Sequence, residues 1–124
     1  MHELSIALSI VEMACGEAES RGGVKIDAVH LQLGQLSGVV KEALLFSYDL
    51  ACEGTRLEGS RLVIEEIAPV AYCPACRTQR ALDSTGRLCC SVCGGLTPEI
   101  LKGKELEVVA LEISDEHATA SGRG

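Results

Sequence analysis

The sequence predicts an α/β (α+β) fold in which two helices pack on a small three-stranded sheet and a cysteine-rich module is inserted. Two observations support this prediction. Stretches with apolar residues every three or four positions alternate with stretches in which every second residue is apolar, as in helices and strands. Five of the seven cysteines cluster late in the chain. The length of 124 residues suits one small domain that carries a smaller module.

Two segments are predicted to be helices. In Leu4–Ser20 the apolar residues recur at helical spacing, and Arg21-Gly22-Gly23 ends the pattern. Val39–Cys52 is the second helix and is followed by Gly54. Each helix has one apolar face that must be buried against another element.

Three segments are predicted to be strands. Val24–Leu36 alternates, but its phase slips by one residue near Ala28, which indicates a bulge. Arg61–Ile67 ends before Pro69, and Lys104–Ile113 is the third strand. We expect the last two strands to form an antiparallel hairpin, because its ends stay close enough together to accept an insertion.

These elements divide the chain into three parts. Residues 1–69 form an α/β domain, residues 70–100 form the inserted four-cysteine module, and residues 101–124 supply the last strand and a tail. The tail from Ser114 to Gly124 is polar and contains Gly and Ser, as is typical of a frayed end.

Composition argues against several classes of protein. The net charge is −7 and aromatic residues make up 2%, so the chain lacks both the positive charge and the rings that bind nucleic acid. No apolar segment is long enough to cross a membrane. No Lys or Arg precedes the apolar stretch Leu4–Val11, so a signal peptide is not predicted. We therefore expect a cytoplasmic protein with no nucleic-acid or membrane partner.

The late cysteines form two pairs with metal-ligand spacing. Cys73 and Cys76 enclose two residues, thirteen residues follow, and Cys90 and Cys93 enclose two more. Each pair can turn both sulfurs toward one point, and two pairs make the tetrahedral site that Zn(II) favours. Gly94 follows the last cysteine, where such a turn often needs positive φ.

Further expectations concern the surroundings of this predicted zinc ribbon. Four thiolates leave no open position, so the zinc is structural and supplies the folding energy of the module. The gap between the pairs leaves room for a short hairpin at Thr78–Leu88. Cys89 could replace Cys90 as a ligand, but Cys90 gives the two-residue spacing. Positive side chains are expected to offset the charge of the site, namely Arg77, Arg80 and Arg87.

The start of the chain, Met1-His2-Glu3, offers nitrogen donors in order. The α-amine, the deprotonated amide of His2 and its imidazole can close fused chelate rings, and the amide of Glu3 can add a fourth nitrogen. Planar nitrogen donors suit Ni(II) or Cu(II) rather than zinc. By itself, a His at position 2 is more often an ordinary surface residue.

The two motifs together resemble the HypA/HybF family of hydrogenase nickel metallochaperones. Met1-His2-Glu3-Leu4-Ser5 stands at the start, and the paired cysteines follow an α/β segment. Gly34-Gln35-Leu36-Ser37-Gly38, Phe46 and Gly54 also fit the family pattern. The resemblance covers nearly the whole chain.

The resemblance implies a maturation factor without catalysis that carries Ni(II) to the large subunit of a [NiFe] hydrogenase, alongside the GTPase HypB. His2 carries over as the nickel ligand, with Met1 and Glu3 beside it, and the four cysteines carry over as ligands of a structural zinc. Some members add an acidic ligand after the first strand, where this chain has Val39-Val40. The oligomeric state, monomer or homodimer, stays open.

Two alternatives remain at this point. A zinc-ribbon module that binds a protein or nucleic acid, with no nickel role, is consistent with the cysteines alone. An enzyme is disfavoured because no Ser–His or Cys–His constellation is visible. His30 falls in a predicted strand and His117 in the tail, where neither is expected to bind a metal.

Overall fold

The computed structural model describes residues 3–82, 87–97 and 99–114. Helix α1 spans Glu3–Ser20 and helix α2 spans Lys41–Cys52. The strands are β1 (Ile26–Gly34), β2 (Arg61–Ile67), β3 (Val70–Cys73), β4 (Thr78–Ala81), β5 (Glu99–Lys102) and β6 (Leu106–Ile113). Both predicted helices and all three predicted strands are present, and the α+β class is confirmed. No helix within the described ranges is long and apolar enough to cross a membrane.

The first sheet has the strand order β2-β1-β6. Gln35 N–H donates to the Ile67 carbonyl, so β1 and β2 end together and run parallel, joined by α2. Ser114 N–H donates to the Lys25 carbonyl at the opposite end of β1, which makes β6 antiparallel to β1. The predicted hairpin of β2 with β6 is therefore wrong, because β1 lies between them.

Burial along β1 shows the slip that its sequence predicted. Ala28 and Val29 are adjacent, and both are fully buried. From Val29 onward, every second side chain is buried again, through Leu31 and Leu33. Because successive side chains in a strand point to opposite faces, two buried neighbours mark a shift in phase.

The chain forms two compact units. Of the described residues, the first unit holds 3–31, 40–63 and 108–114, and the second holds 32–39, 64–82, 87–97 and 99–107.

The first unit contains both helices, which lie side by side in the same direction. Glu3 Oε2 accepts a hydrogen bond from Val40 N–H (3.1 Å) at their starts, and Arg56 pairs with Glu19 (3.6 Å) near their ends. The core of this unit combines small residues of α1 with larger ones of α2 and β1, including Ala7, Ala14, Ala18, Leu44, Tyr48 and Leu31. Cys52 is also buried, as expected, and Cys15 is half-buried.

The second unit contains a close backbone junction around Gly34-Gln35-Leu36-Ser37-Gly38. Gly34 N–H donates to the Glu105 carbonyl (2.7 Å), and Leu36 N–H donates to the Gly103 carbonyl (2.6 Å). A Cβ on Gly34 would lie 2.1 Å from the Gly103 oxygen. Only a residue without a side chain fits here, which is a physical reason for glycine at this position.

A second sheet, with the order β4-β3-β5, supports the cysteines. Strand β3 pairs antiparallel with β4, from Cys73↔Thr78 to Val70↔Ala81. Of the hairpin predicted within Thr78–Leu88, the structure describes one strand, β4, and this strand pairs with β3, which ends at Cys73. Residues 83–86 of that stretch lie outside the described ranges.

Candidate metal centre

Four cysteine side chains meet in the second unit. The sulfurs of Cys73, Cys76, Cys90 and Cys93 all lie within 4.8 Å of one another. Across the two pairs, Cys73 Sγ is 3.5 Å from Cys93 Sγ, and Cys76 Sγ is 3.9 Å from Cys90 Sγ. A tetrahedral zinc with Zn–S bonds near 2.3 Å places its sulfurs about 3.8 Å apart, so the cluster has the size of a four-thiolate metal site.

The two CxxC turns share one backbone design. Arg77 N–H donates to the Cys73 carbonyl (2.7 Å), and Gly94 N–H donates to the Cys90 carbonyl (2.9 Å). The residue after each pair has positive φ, 58° at Arg77 and 75° at Gly94. Glycine reaches this region without strain, whereas arginine does not. The sequence predicted positive φ at Gly94, but positive φ at the equivalent position, Arg77, was not predicted.

Backbone N–H groups point at the sulfurs. Cys76 N–H donates to Cys73 Sγ (3.3 Å), and Gly95 N–H donates to Cys93 Sγ (3.4 Å). Cys90 Sγ accepts two such bonds, from Val92 (3.3 Å) and Cys93 (3.4 Å). A thiolate is a better acceptor than a thiol, so these turns favour the form of cysteine that binds metal.

The electrostatics of the cluster follow from these donors and from the crowding of sulfur. The N–H groups of Cys93 and then Val92 lower the pKa of Cys90 to about 6. For Cys93, the Gly95 N–H is the largest single influence and lowers its pKa. The neighbouring thiols of Cys73, Cys76 and Cys90 outweigh it and raise the pKa to about 11. Cys90 therefore loses its proton readily, whereas ionisation of Cys93 is opposed by the neighbouring sulfurs. A divalent cation would relieve the repulsion between the thiolates.

Arg80 supplies positive charge beside the cluster. A hydrogen bond to Cys76 is the largest cause of a rise in the pKa of the Arg80 guanidinium. Its Nε is buried and has no hydrogen-bond partner within the described ranges. Arg80 is one of the three arginines expected to offset the charge of the site, and its hydrogen bond to Cys76 fits that role.

Cys89 does not join the four sulfurs. It is exposed and forms an isolated antiparallel bridge with Leu96, which closes the second turn. The geometry thus places Cys90, rather than its neighbour, among the clustered cysteines. Metal binding by these four residues stays a prediction.

Comparisons with known proteins cover nearly the whole chain. Residues 1–113 match the family model described as "Hydrogenase/urease nickel incorporation, metallochaperone, hypA". The chain is 50% identical over 123 residues to a hydrogenase maturation factor HypA of Roseiflexus sp. (strain RS-1), covering 98% of this chain and all of the relative. The chain belongs to the HypA family.

Further members of the HypA family give the same result. A Streptomyces avermitilis hydrogenase maturation factor HypA is 39% identical, and the match covers 99% of this chain and 95% of the relative. The solution structure of the Ni metallochaperone HypA from Helicobacter pylori superposes with a TM-score of 0.63 at 20% identity. It covers 91% of this chain and 97% of that one, and it supports the fold.

The three residues predicted to bind nickel are only partly described. Met1 and His2 lie outside the described ranges, whereas Glu3 is the first residue of α1. The Glu3 carboxylate accepts the Val40 N–H bond at the start of α2, a helix with no side-chain cap from Val40 itself. Sequence reasoning missed this contact because nothing local connects residues 37 positions apart.

The other two histidines were not expected to bind metal. His30 Nε2 lies 2.5 Å from Glu112 Oε2, and Arg61 reaches the other oxygen of Glu112 (3.2 Å). His30 therefore has a carboxylate partner in the sheet. His117 lies outside the described ranges.

Proposed function

We propose that this chain binds one Ni(II) ion at its N-terminus and delivers it for maturation of a [NiFe] hydrogenase. The observation that carries the proposal is membership in a nickel-incorporation family whose model matches from residue 1 onward, so that Met1-His2-Glu3 falls within the match. The hydrogenase large subunit would receive the ion, with the GTPase HypB as a second partner. We place this activity in the cytoplasm.

The proposed nickel ligands are nitrogen atoms at the start of the chain. The α-amine of Met1, the amide and imidazole of His2 and the amide of Glu3 lie in consecutive positions. Loss of two amide protons balances the charge of Ni(II) and gives a planar donor set. Because the Glu3 carboxylate accepts the Val40 N–H, we assign the backbone amide of Glu3, rather than its side chain, to the metal.

We further propose that the four clustered cysteines bind a structural Zn(II). The sulfur separations support a tetrahedral site, and four thiolates around Zn(II) leave a net charge of −2 that Arg80 partly offsets. With every position filled, the ion would stabilise the module and leave nickel to the N-terminus.

The test is a Ni(II) titration of the zinc-loaded chain, with the native amino terminus, followed by absorbance in the d–d region. We expect one nickel ion per chain. His2→Ala should weaken binding at least a hundredfold, because it removes the imidazole and opens a chelate ring. A Gly-Ser extension before Met1 should weaken binding or shift the spectrum, because the α-amine becomes an amide.

Two substitutions at Glu3 separate the amide from the carboxylate. Glu3→Ala removes only the carboxylate, whereas Glu3→Pro also removes the amide proton. Proline is tolerated at the first position of a helix, where Glu3 stands, so both variants should keep α1. We expect Glu3→Pro to weaken nickel binding more than Glu3→Ala. If His2→Ala binds nickel as tightly as the parent, the proposed site is wrong.

A further inference from the structure

The outer surface of helix α2 carries large apolar side chains that the core does not use. Phe46, the single phenylalanine of the chain, is 68% exposed, and Leu50 is 46% exposed. Ala43 lies three positions before Phe46 and Leu50 lies four positions after it, so the three side chains share one helix face. The core is filled from the opposite face of α2, where Leu44 and Tyr48 are buried. The stripe on the outer face is therefore open to solvent.

Helix α1 adds two exposed apolar side chains on the side that faces α2. Leu4 is 46% exposed and Leu8 is 50% exposed. Glu19 follows Leu8 by about three helical turns on the same face, and it pairs with Arg56 just beyond the end of α2. The two contacts that join the starts and the ends of the helices both link residues 37 positions apart. This register places Leu8 level with the residue before Phe46.

Carboxylates border this apolar surface. Glu42 and Asp49 lie one turn before and one turn after Phe46, and Glu12 lies one turn after Leu8. All three carboxylates are exposed, and none forms an ion pair with another residue of the described ranges. The sequences of α1 and α2 contain one basic residue, a lysine at the start of α2. An apolar centre with an uncompensated acidic border is complementary to a partner that is apolar and basic.

We propose that this α1–α2 face, made of Leu4, Leu8, Ala43, Phe46 and Leu50, binds an amphipathic helix of a partner protein whose apolar side chains are flanked by lysine or arginine. The backbones of α1 and α2 are hydrogen-bonded within each helix, so the face offers no row of N–H groups to an extended segment. A third helix can instead pack its side chains between those of α1 and α2. This inference does not depend on nickel binding.

The length of the face sets the length of the partner segment. With the register between the helices, Leu4 and Leu50 lie about 14 Å apart along the helix axes, which corresponds to roughly three turns of a bound helix. Apolar side chains at positions i, i+3, i+4 and i+7 of such a segment would reach the whole face.

Two other occupants fit less well. A second copy would bring the acidic borders of two identical faces together, and like charges placed against each other oppose association. The chain's own residues 115–124 contain no Val, Leu, Ile, Met or aromatic residue to cover Phe46.

The probe is a fourteen-residue helical peptide, acetylated and amidated at its ends, with leucine on one face and lysine on the other. It is added to the full-length, zinc-loaded, nickel-free chain labelled with ¹⁵N. We expect saturable binding of one peptide per chain, with amide shifts concentrated in α1 and α2. The same peptide with glutamate in place of lysine should bind at least tenfold more weakly, because the carboxylates around Phe46 repel it.

Two matched variants locate the apolar part of the site. Phe46→Ser removes the most exposed ring and should weaken the leucine-lysine peptide at least tenfold, while the amide spectrum of the free chain stays that of a folded protein. Val109→Ser is the control, because Val109 is a 50% exposed apolar residue of β6 rather than of either helix, and it should change binding less than twofold.

Charge reversal tests the acidic border. Glu42→Lys combined with Asp49→Lys should weaken the leucine-lysine peptide at least tenfold and should strengthen binding of the glutamate peptide. Glu99→Lys combined with Glu107→Lys is the control, because it changes the net charge equally at exposed carboxylates of β5 and β6, and it should change binding of either peptide less than threefold.

Three results would overturn the proposal: equal loss of binding in Phe46→Ser and Val109→Ser, equal binding of the two peptides, or no binding at millimolar peptide. Self-association of the chain alone that Phe46→Ser abolishes would assign the face to a second copy instead.

Discussion

At the scale of single residues, Arg77 stands where the second cysteine turn has glycine. Both turns place the residue after the pair at positive φ, 58° at Arg77 and 75° at Gly94. A non-glycine residue in this region costs roughly 1–2 kcal/mol, so the first turn is held by its surroundings at some cost. Nothing lies within 4 Å of a Cβ built on Gly94, so a side chain there would not clash with its neighbours. The advantage of glycine in the second turn is therefore its tolerance of positive φ rather than its small size.

The expected result of Arg77→Gly is a gain of up to about 1 kcal/mol in the free energy of unfolding, because relief of strain exceeds the added flexibility of the unfolded chain. Arg77→Val should cost more than 1 kcal/mol, since a β-branched residue is poorly tolerated at positive φ. Thermal unfolding of the metal-loaded variants measures both effects.

Arg77→Asn serves as the control for charge. It removes the guanidinium but keeps a residue that tolerates the left-handed region. A loss of stability in both Arg77→Gly and Arg77→Asn would contradict the conformational argument and show that the charge of Arg77 stabilises the thiolate cluster.

At the scale of elements, the turn after β1 is fixed by backbone contacts. Gly34 and Leu36 donate to the carbonyls of Glu105 and Gly103, and Gln35 donates to Ile67. The segment that the sequence marks as Gly34-Gln35-Leu36-Ser37-Gly38 is thus held by hydrogen bonds to residues more than thirty positions away. Gly103 is held at φ +118°, and a Cβ there would lie 2.8 Å from the Pro69 Cα.

Gly34→Ala should destabilise the protein by about 3 kcal/mol or more, because the new Cβ would lie 2.1 Å from the Gly103 oxygen and the backbone must move. Gly16→Ala is the matched control, since Gly16 lies within α1 and nothing lies within 4 Å of its Cβ position. It should stabilise the protein by about 0.5–1 kcal/mol. Urea unfolding measures both, and an equal response of the two variants would contradict the close contact at Gly34.

The elements also show what sequence periodicity can and cannot predict. The bounds of β2 agree with the prediction, and the slip near Ala28 is visible in burial, because both follow from local side-chain patterns. The pairing of strands was predicted wrongly, since it depends on contacts between distant segments. The order strand, helix, strand from β1 through α2 to β2 did favour a parallel crossover, which leaves the other side of β1 for β6.

At the scale of the whole molecule, sequence and structure contribute different parts of the metal chemistry. The spacing of the cysteines predicts a cluster, and the four sulfurs do lie together. Within each pair the two sulfurs meet because the turn that holds them is a local structure, which sequence spacing can predict. Sequence could not predict that the Glu3 carboxylate meets Val40, because folding brings these residues together from separate elements. It did predict positive charge near the site from three arginines, but not that Arg80 is the one hydrogen-bonded to Cys76.

The two compact units should also respond differently to loss of metal. In the stretch from β3 to β5, the buried apolar side chains of the described residues are few, and two of them are the clustered Cys73 and Cys90. Burial of a single Leu82 contributes about 1.5–3 kcal/mol, whereas ordering each residue costs about 1–2 kcal/mol. Structural zinc supplies about 10–16 kcal/mol in small modules of this kind. The helices instead share a core that contains no clustered cysteine.

Cys73→Ala should therefore lose zinc and unfold the stretch from Val70 to Lys102 while α1 and α2 stay folded. Hydrogen exchange followed by mass spectrometry measures this, with rapid exchange expected in peptides from the cysteine module and protection retained in peptides from Leu4 to Ser20. Cys89→Ala is the matched control, because it removes an exposed thiol next to a clustered one and should keep both zinc and protection. Full zinc content in Cys73→Ala would contradict the four-thiolate site, and loss of zinc in Cys89→Ala would move the ligand set by one residue. If α1 loses protection together with the module, the metal stabilises the whole chain rather than one part of it.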